Sequence, residues 1–301
     1  MAGKNKNVND KDALERTRRV TFALFTAPGL LLYSIFFIYP VALGVYYSMT
    51  DWNGITRNKN FIGLKNYIEL FSYNRYKNAM AFTLEYSAFL LVFTMILSVA
   101  IALLLNKKLR GKTFFRGMYF LPAVLCGITI SLVFGQIYMR VIPSIGTAIG
   151  STFLSKSLLG RKETAMYGIL IVHIWRGLAM PTVLVLAGLQ TVPEELYEAA
   201  DLDGANGLQK FGSITLPFLI PTLTIISLLT LKDGLGVFDY IAGLTNGGPA
   251  NSTISVSYLI WNDAFARSRF SLAVAEAIVL SLILIVFSLI QTNISNKRKV
   301  Y

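Results

Sequence analysis

The chain has 301 residues, 54% of them hydrophobic and 15% charged, with a net charge of +12 and a mean hydropathy of +0.56. Soluble domains carry about a quarter charged residues, so this composition excludes an ordinary soluble domain and makes lipid the main solvent. In such a chain a basic excess reports orientation rather than affinity for nucleic acid. One cysteine, Cys126, excludes an intrachain disulfide and any Cys-based metal site. Lying in an apolar stretch, it reads as a small buried side chain.

Taken in order, residues 1–19 form a basic polar leader. The apolar run behind it, Val20–Ser48, is longer than a signal-peptide core of about 7–15 residues and reads as a retained span. A helix needs about 20 mostly apolar residues to cross the hydrocarbon core. Five more runs qualify: Thr83–Leu105, Phe114–Tyr138, Ala165–Leu189, Ile214–Val237 and Phe270–Ile290. Pro28 and Pro40 fall in the first span, where a kink or tilt absorbs its excess length. The sequence therefore predicts an all-α membrane domain of six spans over residues 20–293, followed by a basic tail over residues 294–301. Lys and Arg are denser in the segments that are cytoplasmic when the N-terminus is inside, which places both ends there. The longest loops are Thr50–Phe82 and Tyr240–Arg269, short for separate domains.

The loop between spans four and five carries the most information. Thr191 and Glu194 have capping-box spacing. Pro193 suits a first turn, and Glu194, Glu195 and Glu198 suit the positive end of a helix. Gly204 is a natural left-handed stop. These signals predict a short helix over 192–203, with Asn206 capping a second one toward Phe211 and Pro217 opening span five. Helices that lie on lipid favour a Lys/Arg polar face; this one is acidic and better suited to a protein partner.

Glu198-Ala199-Ala200, Asp203-Gly204-Ala205 and the following Ile214-Thr215-Leu216-Pro217 resemble the EAA loop of ABC importer permeases. Other segments resemble the carbohydrate branch, the maltose and glycerol-phosphate type. They are Phe61-Ile62-Gly63-Leu64-Lys65-Asn66-Tyr67, Phe114-Phe115-Arg116 with Phe120-Leu121-Pro122, and Phe238-Asp239 with Thr245-Asn246-Gly247-Gly248-Pro249. The resemblance covers nearly the whole chain after the leader. It implies a permease subunit of a sugar importer in a bacterial cytoplasmic membrane. Glu198, Ala199, Ala200, Asp203, Gly204 and Ala205 would then couple it to an ATPase. The implied partners are a second, related permease, two ATPase subunits that bind ATP and Mg, an extracytoplasmic solute-binding protein, membrane lipid and the sugar.

No ATPase site is expected in this chain. The string nearest to a phosphate-cradling loop ends in Gly111-Lys112-Thr113, but Asn106 stands where the first glycine belongs. His173, the only histidine, lacks a second ligand at metal spacing and reads as a satisfied or cavity-facing side chain. No nucleophile–base arrangement stands out, so an enzyme is not expected. An ion-driven secondary transporter is the alternative; it would need no acidic docking helix, and the inverted repeat common in such transporters is not evident.

Charged residues inside spans are costly and mark functional positions by default. Arg176 lies in span four, Lys232 and Asp233 in span five. At 1.5 Å per residue, Arg176 is roughly 21 Å above Gln190 and Asp233 roughly 27 Å above Thr215, so an Arg176–Asp233 pair is geometrically allowed. The resemblance adds a sugar pathway on spans four and five: Arg176, Gly177 and Met180, with Thr230, Gly234 and Val237, while Trp175 fits the family pattern. Met180, Gly234 and Val237 depart from the aromatic and amides of the sugar-binding subunit. Two readings stay open, contact by this chain or by its partner. Arg176 raises the further idea of an anionic sugar.

Overall fold

The computed structural model describes the backbone of residues 6–106 and 112–297. Helix α1 runs Lys6–Tyr33 and continues through a π-helical turn, Ser34–Ile38, into Tyr39–Ser48. A short α2 (Lys65–Ser72) precedes the long α3 (Asn74–Asn106). Next come α4 (Lys112–Val124) and α5, which joins Gly127–Gln136 through a π turn to Ile142–Ala148. Helices α6 (Lys162–Gly177) and α7 (Ala179–Leu189) are followed by the small α8 (Glu194–Leu202). Helix α9 starts at Gly207–Lys210, passes through a π turn and continues as Leu216–Leu235. The last elements are α10 (Asp239–Leu244), α11 (Val256–Trp261) and α12 (Phe270–Lys297). Among the described residues the only β pairing is one antiparallel bridge, Thr50 with Phe61.

Five of these helices are long and apolar enough to cross a membrane, and the pair α6–α7 makes a sixth span if counted as one. The all-α, six-span reading holds at that level. Two spans differ from the expectation. Span three is not the unbroken run Phe114–Tyr138: the chain leaves α4 after Val124, Cys126 is extended (φ −67°, ψ 138°), and the membrane-length helix is Gly127–Ala148. Pro122 near the end of α4 and Gly127 at the start of α5 favour a break there. Cys126 sits on it and is exposed, not buried as its apolar neighbours implied. Span four, expected as one helix over Ala165–Leu189, bends by 50° between Gly177 and Ala179. Pro181 has no N–H to bond the Gly177 carbonyl and its ring crowds that group, so the regular ladder cannot continue.

Three prolines share one local solution. Pro40, Pro143 and Pro217 each stand two residues after a π-helical turn, at Ser34–Ile38, Ile137–Val141 and Phe211–Thr215. A wider turn relieves the clash with the carbonyl four residues back, which lets each helix pass its proline without stopping.

The bundle has two cores. Tyr86, Ile169, Ile241 and Leu259 are fully buried in the larger one; Ala102, Val185, Leu219 and Ile226 in the smaller one. Helix α9 packs on α3 and α7, and α10 on α5. Inside a bilayer the hydrophobic effect gives helices no reason to associate, so close packing at small residues matters more. Gly234 on α9 is such a residue, facing Ser87 of α3. By contrast the most apolar 18-residue stretch of α1 has no buried residue, although the end of that helix packs on α12 and Ser48 is buried.

Polar contacts fix the loops that follow α1 and α10. Asn66 donates to the Ser48 and Thr50 carbonyls at 2.7 and 2.8 Å, and Thr50 and Ser271 hydroxyls meet at 3.0 Å. Ser255 donates to the Val237 carbonyl at 2.7 Å, and the Val256 amide donates to Thr83 at 2.9 Å.

Candidate functional site

A cavity of about 470 Å³ opens between α3, the bent pair α6–α7, and α9. Leu90 and Thr94 form one wall, His173, Gly177, Met180 and Pro181 a second, and Thr230, Lys232 and Asp233 a third. The bend after Gly177 and the end of α9 near Gly236 give it its shape.

Of the expected pathway residues, Gly177, Met180, Thr230 and Asp233 line this cavity. Trp175 packs its ring on Phe134, with centroids 5.2 Å apart. Gly234 is buried against α3, where an added Cβ would stand 3.0 Å from the Cα and Cβ of Ser87. Val237 is buried in the larger core.

The Arg176–Asp233 pair does not form. Arg176 Nε donates to the Leu125 carbonyl at 2.8 Å and Nη1 to the Tyr240 hydroxyl at 3.1 Å. The break after α4 frees that carbonyl from its helix, and a guanidinium supplies the missing donor. Asp233 pairs instead with His173, Nε2 to Oδ2 at 2.8 Å, while His173 Nδ1 meets the Tyr86 hydroxyl at 2.9 Å. Tyr240 stacks on the imidazole, with centroids 4.2 Å apart and planes 22° apart. His173 is thus both satisfied and cavity-lining. Sequence spacing could not show this, because Tyr86, His173, Asp233 and Tyr240 lie on four different helices.

The second feature is the loop between spans four and five. Helix α8 carries Glu194, Glu195, Glu198, Asp201 and Asp203 at or near its exposed surface, with Leu202 91% exposed at its end. Its N-terminus differs from the expected capping box: Thr191 donates back to the Gly188 carbonyl at 2.8 Å, and extended Pro193 is the cap residue with no side-chain bond. Its C-terminus follows expectation. Gly204 has φ +74°, its amide bonds the Asp201 carbonyl at 3.1 Å, and the Ala205 amide bonds that of Ala200 at 2.9 Å. This is the Schellman pattern. Asn206 and Gln209 then exchange side-chain and backbone bonds at 3.0 and 2.7 Å, a full capping box. Lys210 pairs with Asp201 at 2.6 Å, and Tyr197 reaches Thr215 at 2.8 Å, tying the loop to span five.

Residues 87–300 match the family described as the binding-protein-dependent transport system inner membrane component. The chain belongs to this family. Among its relatives, the multiple sugar-binding transport system permease protein MsmF of Streptococcus mutans is 42% identical over 92% of this chain and 95% of that protein. The probable starch degradation products transport system permease protein AmyD of Thermoanaerobacterium thermosulfurigenes is 31% identical over 93% and 96%. In fold, the chain superposes on a bacterial ABC transporter that imports the acidic polysaccharide alginate, with a TM-score of 0.80 over 95% of this chain and 99% of that one, at 21% identity.

Within this family member, two buried acidic residues escaped the sequence reading. Glu276 of α12 is fully buried and so is Asp263, in the π turn after α11. A lone Glu in the apolar run of span six was the available signal. Among the described residues no three His, Cys, Asp or Glu side chains group to hold a metal ion. The string ending in Gly111-Lys112-Thr113 and the basic tail fall partly outside the described residues, as do the first five residues of the leader.

Gly204 offers a direct test of the loop geometry. A β-branched residue at φ near +74° is strained, by about 1–2 kcal/mol for the left-handed conformation. Gly204→Val should therefore loosen the α8 end and speed Glu-specific proteolysis within residues 194–206, while Gly207→Ala, inside the next helix, should not.

Proposed function

We propose that this chain is a transmembrane permease subunit of an ATP-driven, binding-protein-dependent importer of mono- or oligosaccharides. The observation that carries the proposal is the rigidly stopped acidic helix α8, held against span five and presenting Glu194, Glu195, Glu198 and Leu202 outward. Such a helix fits a groove on a separate ATPase. That ATPase would hold ATP and Mg, and movement of α8 would pass through Tyr197 and Thr215 into α9. Family membership and the names of MsmF and AmyD support sugar as the cargo. The unburied apolar length of α1 fits a second, related permease, and a solute-binding protein would deliver sugar to the outer loops. Both termini would then be cytoplasmic.

The test is to purify the chain with its co-encoded ATPase, second permease and binding protein, and to measure ATPase activity stimulated by sugar-loaded binding protein. Glu198→Lys reverses a charge on the docking face, and Gly204→Pro removes the amide that bonds Asp201. Each should lose most of the stimulation or release the ATPase. If no ATPase co-purifies and the chain moves solute down an ion gradient, the importer reading fails.

A further inference from the structure

The Tyr86–His173–Asp233 chain has a direction. A carboxylate only accepts hydrogen bonds, so in the neutral ring His173 Nε2 carries the proton and donates to Asp233 Oδ2. Nδ1 is then the acceptor, and the Tyr86 hydroxyl donates to it. Tyr86 and His173 are buried, at 0% and 1% exposure, whereas the Asp233 side chain is 65% exposed and lines the cavity. Oδ2 is held by the imidazole, and Oδ1 has no hydrogen-bond partner among the described residues. Stacking on Tyr240 fixes the imidazole plane. Arg176 holds Tyr240 in turn, and its Nε is committed to the Leu125 carbonyl at the helix break. The cation that shares the cavity wall with Asp233 is therefore Lys232, not Arg176.

We propose that Asp233 accepts a hydroxyl of an uncharged saccharide through Oδ1, and that His173, backed by Tyr86, is the positioning residue that aims it. This rests on the importer reading above and names the substrate class of its membrane cavity. A sugar hydroxyl both donates and accepts, so Asp233 and Lys232 side by side suit a polyol. A carboxylated sugar brings no donor at its acid group and meets the Asp233 charge. Arg176 Nε and Nη1 are bonded to Leu125 and Tyr240, so Lys232 is the cation on the cavity wall, and the uronates below test the Arg176-based idea of an anionic sugar.

The test uses the whole importer in proteoliposomes with its binding protein. Uptake of maltose, maltotriose, raffinose and cellobiose is compared with that of di- and trigalacturonate, and sugar moved per ATP hydrolysed is recorded. Uptake is expected from the neutral set and not from the uronates. His173→Ala should lower sugar moved per ATP about tenfold, the scale of one hydrogen bond to a charged group. His173→Gln, which keeps a donor toward Asp233 and an acceptor toward Tyr86, should restore most of it. Asp233→Ala should fall at least as far as His173→Ala. A structural defect alone would lower uptake and ATP hydrolysis together and leave their ratio unchanged. Uronate uptake by the wild type, or a ratio unmoved in both alanine variants, overturns the proposal while leaving the importer reading intact. No ATP-driven uptake of any saccharide overturns both.

Discussion

Gly234→Val is expected to abolish assembly of a stable importer. Its hydrogen faces Ser87, and any Cβ there would lie 2.9 Å from Oγ and 3.0 Å from Cα and Cβ of that residue. Side-chain atoms can turn away, but the Ser87 Cα belongs to the backbone of α3. The seam between α3 and α9 would have to open. Overpacking of this kind costs about 1–3 kcal/mol, more where backbone must move. In lipid, no hydrophobic driving force recloses the seam. The same shift would displace the neighbouring Asp233 from His173. The purified complex should melt at a lower temperature, and uptake should be nearly lost. Gly234→Ala should show a milder defect that Ser87→Gly partly relieves, because the pair clears two of the three crowded atoms; such non-additivity is the mark of direct contact. A Gly234→Val complex that melts like the wild type would refute this packing.

The second large effect is expected at the buried charges between α11 and α12. Asp263 and Glu276 are both 0% exposed and stand close enough to share a side-chain hydrogen bond when one is protonated; no other group bonds their carboxyl oxygens among the described residues. Arg267 lies 3.5 Å from Asp263. The Nε and Nη1 of Arg75, from the start of α3, are also buried without partners among these residues. Arg269 is paired with Glu69. Two carboxyls and the Arg75 guanidinium thus share one buried region that joins α3, the end of α11 and α12, and Arg267 reaches Asp263 from the surface with its side chain 42% exposed. Removing one member of a buried charge cluster costs about 3–5 kcal/mol, because it leaves an opposite charge without compensation. Asp263→Ala should therefore lower the melting temperature, because the buried Arg75 guanidinium loses a compensating carboxyl.

This cluster also gives stability a pH dependence. Burial pushes the Asp263 carboxyl above its ordinary range, more than the guanidiniums of Arg267, Arg75 and Arg269 pull it down. The folded state then binds more protons than the unfolded one, so unfolding free energy falls as pH rises. The Asp263 contribution is fully present below the ordinary carboxylate value of about 4 and is lost as pH rises through the raised value. Melting of the purified complex, followed from about pH 5 to pH 8, should decline less steeply in Asp263→Asn than in the wild type. An equal slope in both would place the titration elsewhere.

What the sequence determined by itself was whatever depends on local order. Composition and run length dictated spans, because lipid demands about 20 apolar residues whatever their neighbours. Gly204 and Asn206 specified the helix stop and the next cap, since both signals act within six residues. The Thr191 cap did not form: its hydroxyl turns back to the Gly188 carbonyl, and the helix starts behind extended Pro193 instead. Only the tertiary structure decided the rest. The break at Cys126 sits where a distant group takes over the freed backbone, as Arg176 does for the Leu125 carbonyl. The partner of Asp233 turned out to be His173 rather than Arg176, because helix rotation, not depth along the span, decides which side chains meet. Depth can be counted from sequence at a fixed rise per residue; the angle at which two helices face each other is set by packing, here by Gly234 against Ser87.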